Sequence, residues 1–145
     1  MPGRPSRGLE EVVHARGHEH VTGEHASTWE LTSDDWLTPA GDCILGVDAD
    51  RTPADFAEAF GEAARDHDAT LTATLEVGDH KVTVTGRGHP ELTFTDDRSL
   101  VVRTSDYVDD RTVMVGADAA AADLDRALVS ALADGADCRL VLRVS

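Results

Sequence analysis

The chain has 145 residues, with 28 acidic against 13 basic side chains, a formal net charge of −15 and a pI near 4.6. That length fits one domain with a real hydrophobic core, and 41% hydrophobic residues exclude an acidic disordered chain. The charge argues against electrostatic binding of DNA or anionic lipid, both of which need a basic face.

Residues 1–8 carry Pro, Gly and Arg with no apolar run behind them and read as a frayed arm, not a secretory signal. No stretch approaches the roughly 18 apolar residues of a membrane span. A cytoplasmic protein is expected. Residues 10–17 then alternate apolar and polar as a half-buried strand. Residues 26–32 are rich in β-branched and aromatic side chains, and Cys43 to Val47 form a short apolar third strand. Thr52, Pro53 and Asp55 supply an N-cap, an N1 proline and a capping-box partner for a helix. A fourth strand follows at 70–77, and Gly78-Asp79 is a hairpin turn.

The same order then returns. Strands are expected at 80–87, 99–104 and 112–115, with a helix capped by Asp118 and closed by Gly135, and a last strand at 138–144. Arg16-Gly17-His18 recurs as Arg87-Gly88-His89 at an offset of 71, and Thr32-Ser33-Asp34 as Thr104-Ser105-Asp106 at 72. Phe56, Phe60 and Ala64 match Leu124, Leu128 and Leu132 at an offset of 68, each an i, i+4, i+8 stripe. The predicted fold is therefore α+β: two β-β-β-α-β units, 9–77 and 80–145, in a single domain. A pseudo-twofold axis would relate them in a mostly antiparallel sheet or closed barrel with two helices.

Cys43 and Cys138 lie in apolar runs without a CxxC motif and read as free buried thiols. No phosphate loop, dinucleotide fingerprint or nucleophile elbow is present. The polar residues that recur at predicted corners and strand ends are His18, His25, Glu30, Asp42 and His89, with Arg103, Asp106 and Arg111 on the later strands. In one reading, His18, His25 and His89 are proton-transfer or ligand groups. Glu30 and Asp42 would be their carboxylate partners, and Arg103, Asp106 and Arg111 the ligand-binding edge for a small anionic metabolite. Against it stands a structural reading, in which each Arg-Gly-His is a backbone-bonded corner and Asp42 caps a turn. A non-catalytic module for an RNA or protein partner is a second function, although no basic strip is visible. A metal-dependent hydrolase using His18, His25 and a carboxylate is a third, with His18-x-His20 as a candidate metal pair. No cofactor is specified.

The chain resembles the archaeal family known as domain of unknown function 371. The likeness is carried by Arg16-Gly17-His18, by His25 with Thr28 and Glu30, and by Leu37-Thr38-Pro39-x-Gly41-Asp42-Cys43-Ile44-x-Gly46-Val47. It continues in Gly86-Arg87-Gly88-His89-Pro90, Arg103-x-Ser105-Asp106, Asp110-Arg111-Thr112 and Ala121-Ala122-Asp123-Leu124. Where the family's lysine is expected after Ala117-Asp118, this chain has Ala119. The resemblance implies archaeal origin and one compact α+β domain, without an activity. Twelve Arg to one Lys, and nineteen Asp to nine Glu, suit a salt-accumulating haloarchaeal cytosol.

Overall fold

The computed structural model describes residues 9–145; the arm expected at 1–8 lies outside the described residues. The strands are β1 (Glu10–Arg16), β2 (Thr28–Thr32), β3 (Ile44–Gly46), β4 (Thr70–Val77), β5 (His80–Arg87), β6 (Ser99–Arg103), β7 (Thr112–Met114) and β8 (Asp137–Val144). Helix α1 (Glu58–Ala64) precedes β4, and α2 (Arg126–Ala133) precedes β8. The fold is mixed α+β.

Two four-stranded sheets replace the single sheet or closed barrel expected from the sequence. Sheet A has the order β1-β8-β4-β5 and is antiparallel throughout. Sheet B has the order β3-β2-β6-β7: the central β2–β6 pair is antiparallel, while β2–β3 and β6–β7 are parallel. Each parallel pair slips register once, at Glu30/Leu31 and Val101/Val102. Among the described residues the sheets meet at isolated bridges, Arg16 to Val47 and Arg87 to Val115, and no continuous ladder closes them.

Strand alternation decides the faces. In β4, Leu71, Ala73, Leu75 and Val77 are buried between threonines, and in β8 the buried set is Cys138, Leu140, Leu142 and Val144. These side chains meet Trp29, Leu31, Leu100 and Val102 from sheet B, with Phe60, Leu128 and Leu132 from the helices. Both cysteines are free.

The helix starts differ from the sequence reading. Asp55 accepts the Thr52 N–H at 2.9 Å and its hydroxyl at 3.2 Å, but the turn so capped is a 3-10 turn over Pro53–Asp55. The chain extends again at Phe56 before α1 begins. Asp118 does not cap α2: its Oδ1 accepts the Thr85 N–H at 3.0 Å, and Asp125 caps the helix by accepting from Ala127 at 3.0 Å. Gly135 does close α2, with φ +90°. Its N–H donates to Leu132 and that of Ala136 to Ala131, a Schellman pair.

Candidate functional site

The polar residues with the most organised surroundings lie on the face of sheet B that points away from the main core. Trp29 and Leu31 face inward on β2, so Thr28, Glu30 and Thr32 face outward; on β6 the outward set is Ser99, Val101 and Arg103. Register places Glu30 opposite Val101 and Thr28 opposite Arg103. All six are nonetheless buried, which sets the energetics of every charge among them.

Asp109, in the connection from β6 to β7, organises one half of this face. Its carboxylate accepts from the Arg103 guanidinium at 3.0 Å and from the Arg111 guanidinium at 3.1 Å. It also accepts from the Arg111 backbone N–H at 3.0 Å and the Thr112 hydroxyl at 3.1 Å. Arg103 Nε donates to Thr112 Oγ1 at 2.8 Å, and its guanidinium lies 4.9 Å from the exposed Tyr107 ring. Burial pushes the Asp109 carboxyl up, but the Arg111 hydrogen bonds and the charges of Arg103 and Arg111 outweigh it and hold the group at about 2. The two arginines expected to grip a ligand thus converge on a carboxylate of the chain itself. Sequence reasoning missed Asp109; its signal was Asp two residues before Arg111, the spacing of a side-chain-to-backbone turn.

Glu30 organises the other half. The Cys43 thiol donates to its Oε1 at 3.5 Å, and burial, followed by the Glu30 charge, pushes that thiol up to about 11. Cys43 is therefore a poor nucleophile near neutral pH. Nearby, His25 Nδ1 accepts the Thr28 N–H at 3.2 Å and the Ser27 N–H at 3.3 Å, so its ring is committed to the turn entering β2. The Asp42 backbone carbonyl accepts the N–H groups of Glu24 and His25 at 3.1 and 3.3 Å, which ties the loop before β3 to the loop before β2.

A depression of about 280 Å³ opens beside Glu30. Arg98 and Arg111 stand on its wall with Asp34 and Asp96, and Thr32, Ile44 and Ser99 complete it. Arg98 Nε donates to Asp34 at 3.0 Å and remains 60% exposed; Arg111 is 44% exposed. A separate cleft of about 350 Å³ at the β1 edge holds His14 Nδ1 3.4 Å from Asp50, beside the Arg16–Asp48 pair.

The remaining predicted residues stand elsewhere. Gly17 donates to the Ala136 carbonyl at 2.7 Å, placing His18 at the end of α2; His89 donates to Ala64 at 3.0 Å, at the end of α1. Each histidine Nδ1 accepts the N–H two residues on, His20 in one case and Glu91 in the other, both at 3.0 Å. Arg16 pairs with Asp137 near the β4–β5 turn, whereas Arg87 pairs with Thr70 at the far end of the opposite edge strand. His18 and His89 therefore cannot share a cleft, and the structure brings neither to Glu30. Asp106 is exposed in the β6–β7 connection. Among the described residues no three His, Cys, Asp or Glu side chains converge to hold a metal ion, so the hydrolase reading through His18 and His25 has no ligand set.

No helix among the described residues is long and apolar enough to cross a membrane. The family model described as "Domain of unknown function (DUF371)" matches residues 13–145. The uncharacterized protein MJ0206 of the archaeon Methanocaldococcus jannaschii is 38% identical over 127 residues, covering 88% of this chain and 93% of that protein. The chain belongs to the DUF371 family.

Proposed function

We propose that this protein binds a small polar ligand in the depression on sheet B, with Glu30 at its base and Arg98 and Arg111 on its wall. The observation that carries the reading is Glu30: a carboxylate only 9% exposed, whose hydrogen-bond donor is a thiol at 3.5 Å. A thiol is a weak donor, so a buried carboxylate held this way gains from a stronger one. Both arginines keep N–H groups beyond those given to Asp34 and Asp109. A simple anion would meet Glu30, Asp34 and Asp96, which narrows the anionic ligand expected from the sequence. The best fit is a small zwitterion, its carboxylate on the arginines and its ammonium on Glu30. Binding is favoured over turnover because the thiol is raised and the histidines are tied to backbone.

The test is a thermal-shift screen of the free α-amino acids against the corresponding deaminated acids. Stabilisation by an amino acid, absent for its deaminated analogue and lost in Glu30→Gln, is expected. Equal stabilisation by the deaminated acid, or a shift that survives Glu30→Gln, overturns the reading.

The chain is further read as two copies of one unit, 9–77 and 80–145. In support, Asp50 and Asp118 accept the N–H of His14 and Thr85, and His25 and Asp96 accept the N–H groups opening β2 and β6. The Asp-rich, single-Lys composition is read as a hydrated coat for the cytoplasm of a salt-accumulating archaeon.

A further inference from the structure

The depression on sheet B carries more carboxylates than cations. Glu30, Asp34 and Asp96 line it against Arg98 and Arg111, three acids to two bases. Asp34 is matched, because both of its oxygens accept from Arg98 Nε, at 3.0 and 3.1 Å. Arg111 is already shared with Asp109, to which it donates at 3.1 Å. Among the described residues neither Glu30 nor Asp96 is in an ion pair.

Asp96 holds the turn that opens β6 with one oxygen. Its Oδ2 accepts the N–H groups of Arg98 and Ser99 at 3.0 and 2.7 Å, and among the described residues its Oδ1 meets no donor. The turn does not require a charge. At the start of β2 the N–H groups of Ser27 and Thr28 are accepted by His25 Nδ1 at 3.3 and 3.2 Å, a ring nitrogen that brings no negative charge. The carboxylate at Asp96 is therefore surplus to the fold, and it lines the depression. Register sets its spacing from Glu30. Glu30 stands opposite Val101, and Ser99 lies two residues back along β6, a span of about 7 Å. Arg111 stays at the Glu30 end, where its carbonyl accepts the Val101 N–H at 2.9 Å, and Ile44 flanks Glu30 from β3. One end thus offers a carboxylate and a guanidinium, and the other offers Asp96 beside the Arg98–Asp34 pair.

We propose that the ligand of this depression is an α-amino acid with a cationic side chain, of the length of ornithine or lysine. This rests on the zwitterion reading of the same site and names its ligand class. The α-ammonium sits on Glu30 and the α-carboxylate on the arginines. The alkyl stem runs past Ile44, and the distal ammonium reaches the open Oδ1 of Asp96. A neutral amino acid has no net charge and leaves the excess carboxylate unmatched. A dibasic one brings a single positive charge and balances the lining, through a charge-assisted hydrogen bond at each end. An amino acid with an acidic side chain would set like charge against Asp96 and Asp34, which disfavours it.

Isothermal titration calorimetry of the full chain tests it with lysine, ornithine, norleucine, ε-aminocaproate and cadaverine. Norleucine lacks the distal ammonium of lysine, ε-aminocaproate its α-ammonium and cadaverine its carboxylate. Lysine or ornithine should bind about tenfold tighter than norleucine, or more, the factor that a hydrogen bond between charged groups supplies. Both ε-aminocaproate and cadaverine should bind more weakly than lysine. Asp96→Asn keeps the turn, since asparagine accepts the same N–H groups. It should bring lysine down to the affinity of norleucine and leave norleucine unchanged, whereas Glu30→Gln should weaken both. Circular dichroism checks that each variant is folded, and the ligand series on the unaltered chain decides by itself if Asp96→Asn is not. Norleucine binding as tightly as lysine, or an Asp96→Asn chain that still prefers lysine, overturns the cationic side chain and leaves the zwitterion reading standing. Cadaverine or ε-aminocaproate binding as tightly as lysine removes that reading, and this proposal with it. So does the absence of binding by any of the amino acids up to about 1 mM, the weak end of the affinity scale.

Discussion

Asp109 accepts a hydrogen bond from the Arg103 guanidinium at 3.0 Å, and the pair makes an arginine predicted to grip a ligand into part of the fold. Arg103 is 9% exposed, so it depends on that carboxylate for a counter-charge.

Asp109→Asn should therefore destabilise the protein by about 2–3 kcal/mol, the range for hydrogen bonds to charged groups. The effect should depend on pH. The native Asp109 carboxyl lies at about 2 against an ordinary 3.8. A depressed folded-state value stabilises above the ordinary one, and that contribution is lost as pH falls from 3.8 through 2. Urea denaturation from about pH 6 to about pH 2 should show the gap between wild type and variant narrowing on acidification. A gap that stays constant would remove the carboxylate from the explanation.

The Arg-Gly-His corners make a steric prediction. A Cβ on Gly17 would lie 1.9 Å from the Leu132 carbonyl oxygen, and one on Gly88 2.0 Å from that of Ala64. Both obstacles are helix-end backbone, which cannot rotate away. Gly17→Ala and Gly88→Ala should each cost about 3 kcal/mol, at the upper end of overpacking. Gly78→Ala meets nothing within 4 Å and has only its φ of +58° to oppose it, a cost of about 1–2 kcal/mol. Equal urea midpoints for the three variants would refute this ordering.

Much of this architecture was legible because strands and corners are local signals. Leu71 to Val77 alternate, Gly78-Asp79 turns, and Gly135 ends α2, all within a few residues of chain. What was not legible depends on pairing between distant segments. The parallel β2–β3 and β6–β7 pairs split the expected single sheet into two, and no local pattern reports strand direction. Thr52 and Asp118 carried good capping chemistry, but the first was used by a 3-10 turn and the second by strand β5. In the site, Glu30 and Arg111 were found as residue types at strand ends. Asp109 was missed because its role appears only when the connection folds back on Arg103.

His25 gives a test of its turn-forming role. Its Nδ1 accepts the Thr28 N–H at 3.2 Å, and Asp96 Oδ2 accepts the Ser99 N–H at 2.7 Å at the start of β6. A side-chain oxygen thus does in one place what an imidazole nitrogen does in the other. His25→Ala should lose about 1 kcal/mol, the usual net worth of such a bond. His25→Asn should restore most of it, since Asn forms the same turn. If Asn is as damaging as Ala in thermal unfolding, the ring itself does something beyond holding the turn.

The thiols give the sharpest probe of Glu30. Burial raises Cys138 to about 12 and Cys43 to about 11, but only for Cys43 does a neighbouring Glu30 carboxylate add charge and a hydrogen bond. At pH 8 both should alkylate slowly with iodoacetamide, because the thiolate is the reacting form. Glu30→Gln removes the charge that opposes Cys43 ionisation, so its rate should rise several-fold while that of Cys138 is unchanged. Mass spectrometry of each cysteine-containing peptide separates the two rates. A parallel rise at Cys138 would point to general loosening of the fold, since Cys138 sits on sheet A and has no contact with Glu30 to relieve.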